Sequence, residues 1–268
     1  MTTPTTLLCL SYAGGTATAV YRDWALWLSP DITVVPLDLP GCGSRRQHSR
    51  ADSIPELLDT LERDALPHVR GARWGVFGHS FGALLAYELA RTLTAHDSVG
   101  NPEAVIVSGR RPPADRPLSP LPAVDDPMFF DEVVSWGGVP PEFVHRPSLR
   151  PLILAGLRHD IVLGAAYEHR NDPLLSCPVR VLAAREDPLV DVDRLPQWSS
   201  ATTGPFSIHL FHGNHFYFGD GRVTAPLVGE LITTLRDPLG AAPLGLAVST
   251  PRVSGTVGAA QTLTGSRR

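Results

Sequence analysis

Along the N-terminal part of the chain, apolar runs of strand length alternate with stretches whose apolar positions recur at helical spacing. Residues 6–11 (TLLCLS) form a compact apolar run, which Ala13-Gly14-Gly15 interrupts. Residues 19–28 then read as a helix with Trp24, Trp27 and Leu28 on its buried side. A second run, 32–37 (ITVVPL), gives way to Asp38-Leu-Pro-Gly-Cys-Gly-Ser44. Residues 53–69 carry an amphipathic pattern with a helix start: Ser53 as N-cap, Pro55 in the first turn and Glu56 at the capping-box position. Residues 74–77 are a short apolar run, and 81–93 place Phe81, Leu84, Leu85, Leu89 and Leu93 at helical spacing. A continuous apolar run at 104–108 (AVIVS) suits a strand buried on both faces. Strands alternating with helices in this way predict βαβ units and a mostly parallel sheet flanked by helices, the α/β class.

The alternation lapses after Gly109. Residues 111–172, Pro-rich at first and then helical in pattern, read as an inserted helical lid containing Phe129, Phe130, Trp136 and Phe143. The sheet resumes at 179–184 (VRVLAA) and 206–211 (FSIHLF), and a closing helix is expected over 216–235. One domain over 1–237 follows from this pattern. Residues 238–268 shift to Ala, Gly, Thr, Ser, Pro and Val without an aromatic residue, the composition of a disordered tail.

Composition narrows the function classes. The 268 residues have 43% apolar content and a net charge of −4, and all 23 basic side chains are Arg without a basic block. Nucleic acid is therefore not an expected partner. Three scattered cysteines (Cys9, Cys42, Cys177) show no zinc spacing and fit a reduced, cytoplasmic setting. The N-terminus lacks a signal-peptide pattern, and no apolar stretch is long enough to span a membrane.

The chemistry centres on Gly78-His79-Ser80-Phe81-Gly82, between an apolar run and a helical pattern. This is the context of a Gly-x-Ser-x-Gly nucleophile elbow, in which the serine sits on a strained strand-to-helix turn. A serine hydroxyl becomes nucleophilic only when a base takes its proton and a third group orients that base. In parallel-sheet hydrolases these follow in the order Ser, Asp, His, each after a strand. Asp187 stands directly after 179–184, nearer the strand's end than Asp191 and Asp193. His215 lies in the loop after the last strand, with His212 as competitor. His209, His212 and His215 are three apart, but residues three apart on a strand face opposite ways, so they are not read as a metal site. His79 is read as a support of the elbow. The amides of Phe81 and Ala13, the latter in the turn after the first strand, are the candidate oxyanion hole.

At this point the chain resembles the discrete (type II) thioesterases of polyketide and nonribosomal peptide biosynthesis. The resemblance runs through Ala13-Gly-Gly15 with Tyr21-Arg-Asp-Trp24, Gly78-His-Ser-Phe-Gly-Ala83 and Ser108-Gly-Arg-Arg-Pro112. It continues through Gly137-Gly-Val-Pro-Pro-Glu142, Leu157-Arg-His-Asp160, Glu186-Asp-Pro-Leu189 and Gly213-Asn-His-Phe-Tyr217. It implies an α/β-hydrolase fold with a helical lid, and hydrolysis of acyl groups from the phosphopantetheine thiol of carrier proteins, the usual task being to edit the assembly line by clearing stalled or aberrant chains. Ser80 would be the nucleophile, His215 the base, Asp187 its orienter, and the Ala13 and Phe81 amides the oxyanion hole. No metal or organic cofactor is implied, and a monomer is expected. The family commonly has His where Tyr12 stands and Arg where Cys42 stands.

Two roles suit Phe129, Phe130, Trp136 and Phe143: lining an acyl chamber, or packing between lid helices. Arg110 and Arg111, at the root of the lid, are candidates to meet the acidic face of a carrier. Rival readings are an in-trans product-releasing thioesterase or cyclase, a small-molecule carboxylesterase, and a non-catalytic carrier-binding module that keeps the fold.

Overall fold

Six parallel strands in the order β2-β1-β3-β4-β5-β6 form the centre of the computed structural model, which describes residues 4–115, 124–139, 144–219 and 221–233. The strands are β1 (Thr5–Leu10), β2 (Ile32–Pro36), β3 (Arg73–His79), β4 (Val105–Ser108), β5 (Val179–Ala184) and β6 (Phe206–Phe211). Phe143 and the tail expected at 238–268 lie outside the described residues.

Side chains alternate between two apolar layers, as the period of a strand requires. Leu8, Leu10, Val76, Val107 and Val181 face helices α2 (Ile54–Val69) and α3 (Phe81–Leu93). Leu7, Cys9, Phe77, Ile106 and Leu182 face the opposite layer, which α1 (Ala17–Val20) and the last helix cover. Both faces are buried, and this explains why the strands read as near-continuous apolar runs. Helix α2 starts where its cap signals fall: Ser53 Oγ accepts from Glu56 N at 3.3 Å, and Glu56 Oε2 accepts from Asp52 N at 2.9 Å.

Two expected helices differ. Residues 19–28 are not one helix: α1 ends at Val20, and a single 3₁₀ turn follows at Trp24–Leu26. The tightening brings Tyr21 and Trp24 together onto Phe77, with ring centroids 5.8 and 4.8 Å from it. It turns Trp27 outward to 39% exposure, where Arg222 covers its ring. The closing helix starts at Thr224, not at 216; its described part is Thr224–Thr233, and 234–235 lie outside the described residues. Residues 214–219 and Gly221 instead take part in successive turns (Tyr217 N to Asn214 O, Gly219 N to Phe216 O, Gly221 N to Phe218 O) that direct Phe216, Tyr217 and Phe218 onto the sheet's end.

The lid lies between β4 and β5. Its described residues include α4 (Asp126–Ser135), a 3₁₀ turn (Pro147–Leu149) and α5 (Arg150–Ala165), so the closing helix is α6. Phe129, Phe130, Val133 and Trp136 of the α4 segment meet Leu154 and Leu157 of α5 in an apolar cluster separate from the two sheet layers.

Candidate active site

The chain runs from β1 outward to β2 and then returns to β3 on the other side of β1, which makes the β1/β3 boundary a topological switch point. Loops leaving neighbouring strands diverge there and open a crevice at the strands' carboxyl ends, where open α/β sheets bind ligands. The turn carrying Ala13 leaves β1, and Ser80 follows β3 directly.

Ser80 has φ 54° and ψ −111°, and among the described residues no other non-glycine has positive φ. Such a conformation costs of order 1–3 kcal/mol and persists because its surroundings enforce it. Those surroundings are close backbones: a Cβ on Gly78 would fall 2.0 Å from Gly82 O, and one on Gly82 would fall 2.3 Å from Ser11 O. The Ser80 N–H is fixed by Ser108 O of β4 at 2.8 Å. Helix α3 starts at Phe81, so its positive end lies beside the serine.

Asp187 and His215 meet although 28 residues separate them. His215 Nδ1 bonds Asp187 Oδ2 at 2.8 Å, and both side chains are buried. The other carboxylate oxygen of Asp187 accepts from Leu189 N at 2.9 Å, which fixes the group's plane. Asp191 instead caps the following 3₁₀ segment by accepting from Asp193 N. The three histidines diverge: His209 shares a bond with Ser207 Oγ at 3.0 Å, and exposed His212 sits by Glu186 at 3.3 Å. His79 is buried at the core of the elbow and bonds Ser108 Oγ at 2.9 Å, and Ser108 in turn bonds Tyr217 OH at 2.5 Å. Burial, and then neighbouring His215, push the His79 pKa well below the ordinary histidine value.

The N–H groups of Ala13 and Phe81 have no acceptor among the described residues. Both residues border one cavity of about 410 Å³, together with Ser80 and His215. Val133, Trp136, Leu157 and Ile161 of the lid, with Leu189, supply its apolar wall.

Residues 5–234 match the family model described as "Thioesterase domain". The chain belongs to the thioesterase family. It is 34% identical over 214 residues to thioesterase PikA5 of Streptomyces venezuelae, covering 80% of this chain and 75% of that one. Among solved structures it is similar to ClbQ from the colibactin NRPS/PKS pathway, at 28% identity and TM-score 0.80, covering 87% of this chain and 98% of the other. It is also similar to the type II thioesterase BorB from the borrelidin biosynthetic cluster, at 31% identity and TM-score 0.76, covering 87% and 94%.

The thioesterase uses its lid aromatics differently from the chamber expectation. Phe129 and Phe130 pack inside the lid, under the guanidinium groups of Arg158 (4.1 Å) and Arg150 (4.3 Å), and do not border the cavity. A helix exposed to solvent on one side buries its widest side chains against its neighbour on the other, and α5 is that neighbour. Trp136 does border the cavity. Arg110 and Arg111, expected to meet a carrier's surface, form part of the cavity wall. Burial, with Arg111 adding repulsion, lowers the Arg110 pKa to about 10, which leaves it charged at neutral pH.

Tyr12 lines the cavity with its ring edge-on to Phe216 at 4.9 Å. Cys42 is buried, and the guanidinium of Arg50 approaches its sulfur at 3.6 Å. The sequence patterns gave no role to Arg50 or to Asp160, which also borders the cavity. Their connection crosses 110 residues and has no local signal.

Proposed function

We propose that this thioesterase is a discrete serine enzyme that clears acyl groups from the phosphopantetheine thiol of carrier proteins on a polyketide or nonribosomal peptide assembly line. What carries the reading is the convergence on one cavity of a strained Ser80, His215 held from behind by Asp187, and two amides without acceptors among the described residues. The similarity to ClbQ, from an NRPS/PKS pathway, and to BorB, a type II thioesterase from a biosynthetic cluster, supports the choice of substrate.

In this mechanism Ser80 Oγ attacks the thioester carbonyl carbon while the second ring nitrogen of His215, Nε2, accepts the hydroxyl proton. Asp187 holds the ring through Nδ1 and stabilises the imidazolium that forms. The carbonyl oxygen, now anionic, accepts from the Ala13 and Phe81 N–H groups at the positive end of α3. Collapse breaks the C–S bond, and the pantetheine sulfur leaves with the proton held by His215. Water then attacks the acyl-serine, again giving its proton to His215, and the acid is released as Ser80 regains its hydrogen. The apolar wall of Val133, Trp136, Leu157, Ile161 and Leu189 suits an acyl chain, and a cavity of about 410 Å³ lies within the usual range for small ligands.

Competition between substrates tests the proposal. The kcat/KM for acetyl- and longer acyl-carrier proteins is expected to exceed that for the matching acyl-CoA and p-nitrophenyl esters. Equal or faster turnover of the oxygen esters would leave a general carboxylesterase. Release of a full-length or cyclised product in place of short acids would favour a product-releasing enzyme.

A further inference from the structure

The catalytic scheme leaves one buried carboxylate of the cavity wall unused. Asp160, on lid helix α5, is 2% exposed. It lies against neither Ser80 nor His215 by any hydrogen bond; instead its Oδ2 accepts from Gly14 N at 2.7 Å. Its Oδ1 faces Arg50 Nη1 at the longer distance of 3.4 Å. Burial pushes its pKa above the ordinary carboxylate value, against the pull of the Gly14 N–H and Arg50. Keeping an acid here costs desolvation energy that an apolar side chain would avoid.

The surrounding contacts show what Asp160 connects. Gly14, at φ 70°, lets α5 approach: a Cβ there would lie 3.2 Å from the Leu157 backbone. Gly15 N closes the same turn onto Tyr12 O at 2.9 Å. The two residues preceding Asp160 fix the helix elsewhere, Arg158 to Val124 O at 2.9 Å and His159 to Ala51 O at 2.9 Å. Arg50 reaches α5 beside Gly156, where a Cβ would meet its Nη2 at 2.5 Å, and also contacts Gly41 O at 3.5 Å. The anchored peptide is the one that follows Ala13. Fixing it limits rotation about Ala13 and so fixes the aim of the Ala13 N–H.

We infer that Asp160 is a positioning residue: through Gly14 it aims the Ala13 amide at the oxyanion, so that the oxyanion hole is complete only when lid helix α5 is seated. The inference rests on the reading of Ala13 and Ser80 given above. Removing an oxyanion donor outright typically costs about 10²–10³ in kcat, and a displacement near 1 Å costs about 10².

The test compares Asp160→Ala, which removes the acceptor, with Asp160→Asn, which keeps one, in the full-length protein. Competent sites are counted by fluorophosphonate titration, and kcat and KM are measured per titrated site on an acyl-carrier protein and on p-nitrophenyl acetate. Asp160→Ala is expected to lose about 10- to 100-fold in kcat with KM changed less than about threefold, and Asp160→Asn to recover most of the loss. If the alanine variant does not fold, Asp160→Leu, nearly isosteric and without an acceptor, replaces it. Unchanged kcat per site, an asparagine variant as impaired as the alanine one, or a loss confined to the number of titratable sites would overturn the inference. Wild-type failure on carrier thioesters would instead refute the proposed substrate, and the ester arm would still test Asp160.

Discussion

Ser80 holds its strained backbone because neighbouring atoms leave it no alternative, and single side-chain changes can measure this. A methyl group on Gly82 would fall 2.3 and 2.4 Å from the carbonyl oxygens of Ser11 and Leu10, neither of which can move without shifting β1. Gly82→Ala is therefore expected to destabilise the fold by about 1–3 kcal/mol or more, read as a lower melting temperature. Gly100→Ala, with no atom near its added carbon, is the matched control and should stay within about 0.5 kcal/mol. Asp187 acts on a different quantity. Asp187→Asn keeps the shape of the side chain but favours the wrong imidazole tautomer, and kcat should fall about 10⁴-fold with KM little changed. At this scale the Gly-His-Ser-Phe-Gly turn was legible because its chemistry is local. The Asp160–Gly14 bond was not, since 146 residues separate its partners and neither lies in a pattern that names the other.

Among the elements, the four inner strands were legible because burial on both faces makes each a near-continuous apolar run. The edge strands β2 and β6, only partly buried, were legible from their short runs of apolar β-formers. The positions of Asp187 and His215 followed from them, one after β5 and one after β6. The elements misread were those whose apolar residues serve two neighbours at once. Tyr21 and Trp24 suit a helix by spacing, yet a 3₁₀ turn lets both reach Phe77. Phe216, Tyr217 and Phe218 look like a helix start, but positive φ at Gly213, Gly219 and Gly221 bends the chain into turns beside His79. The lid helices repeat the lesson. Phe129 and Phe130 are aromatic and lie in the lid, but their contacts go to α5 and its arginines, so helix packing took them from the cavity. Accordingly Phe129→Leu should lower thermal stability and leave the preference among acyl chain lengths unchanged, whereas Trp136→Ala should shift that preference toward longer chains.

For the whole molecule, buried neutral histidines set the response to acid. Burial, as the leading cause, holds both His79 and His209 below the ordinary histidine pKa of 6.5. Below about pH 6.5 the unfolded chain binds protons at these positions that the folded chain does not, so stability falls as pH falls. The melting temperature should therefore drop between pH 7.5 and 5.5, and a flat or rising trend would contradict the burial of neutral imidazoles. The family match ends at residue 234, and no helix among the described residues is long and apolar enough to cross a membrane. Deleting residues 238–268 is expected to leave kcat/KM within about twofold.

The most direct test of the central claim is the rate at which acyl groups leave an acyl-carrier protein, followed by the intact mass of the carrier, with wild type and with Ser80→Ala. Loss of the nucleophile should slow hydrolysis by on the order of a millionfold while the variant keeps its melting temperature. A Ser80→Ala protein that still cleared the carrier at a rate near wild type would show that the elbow serine is not the group that takes the acyl chain.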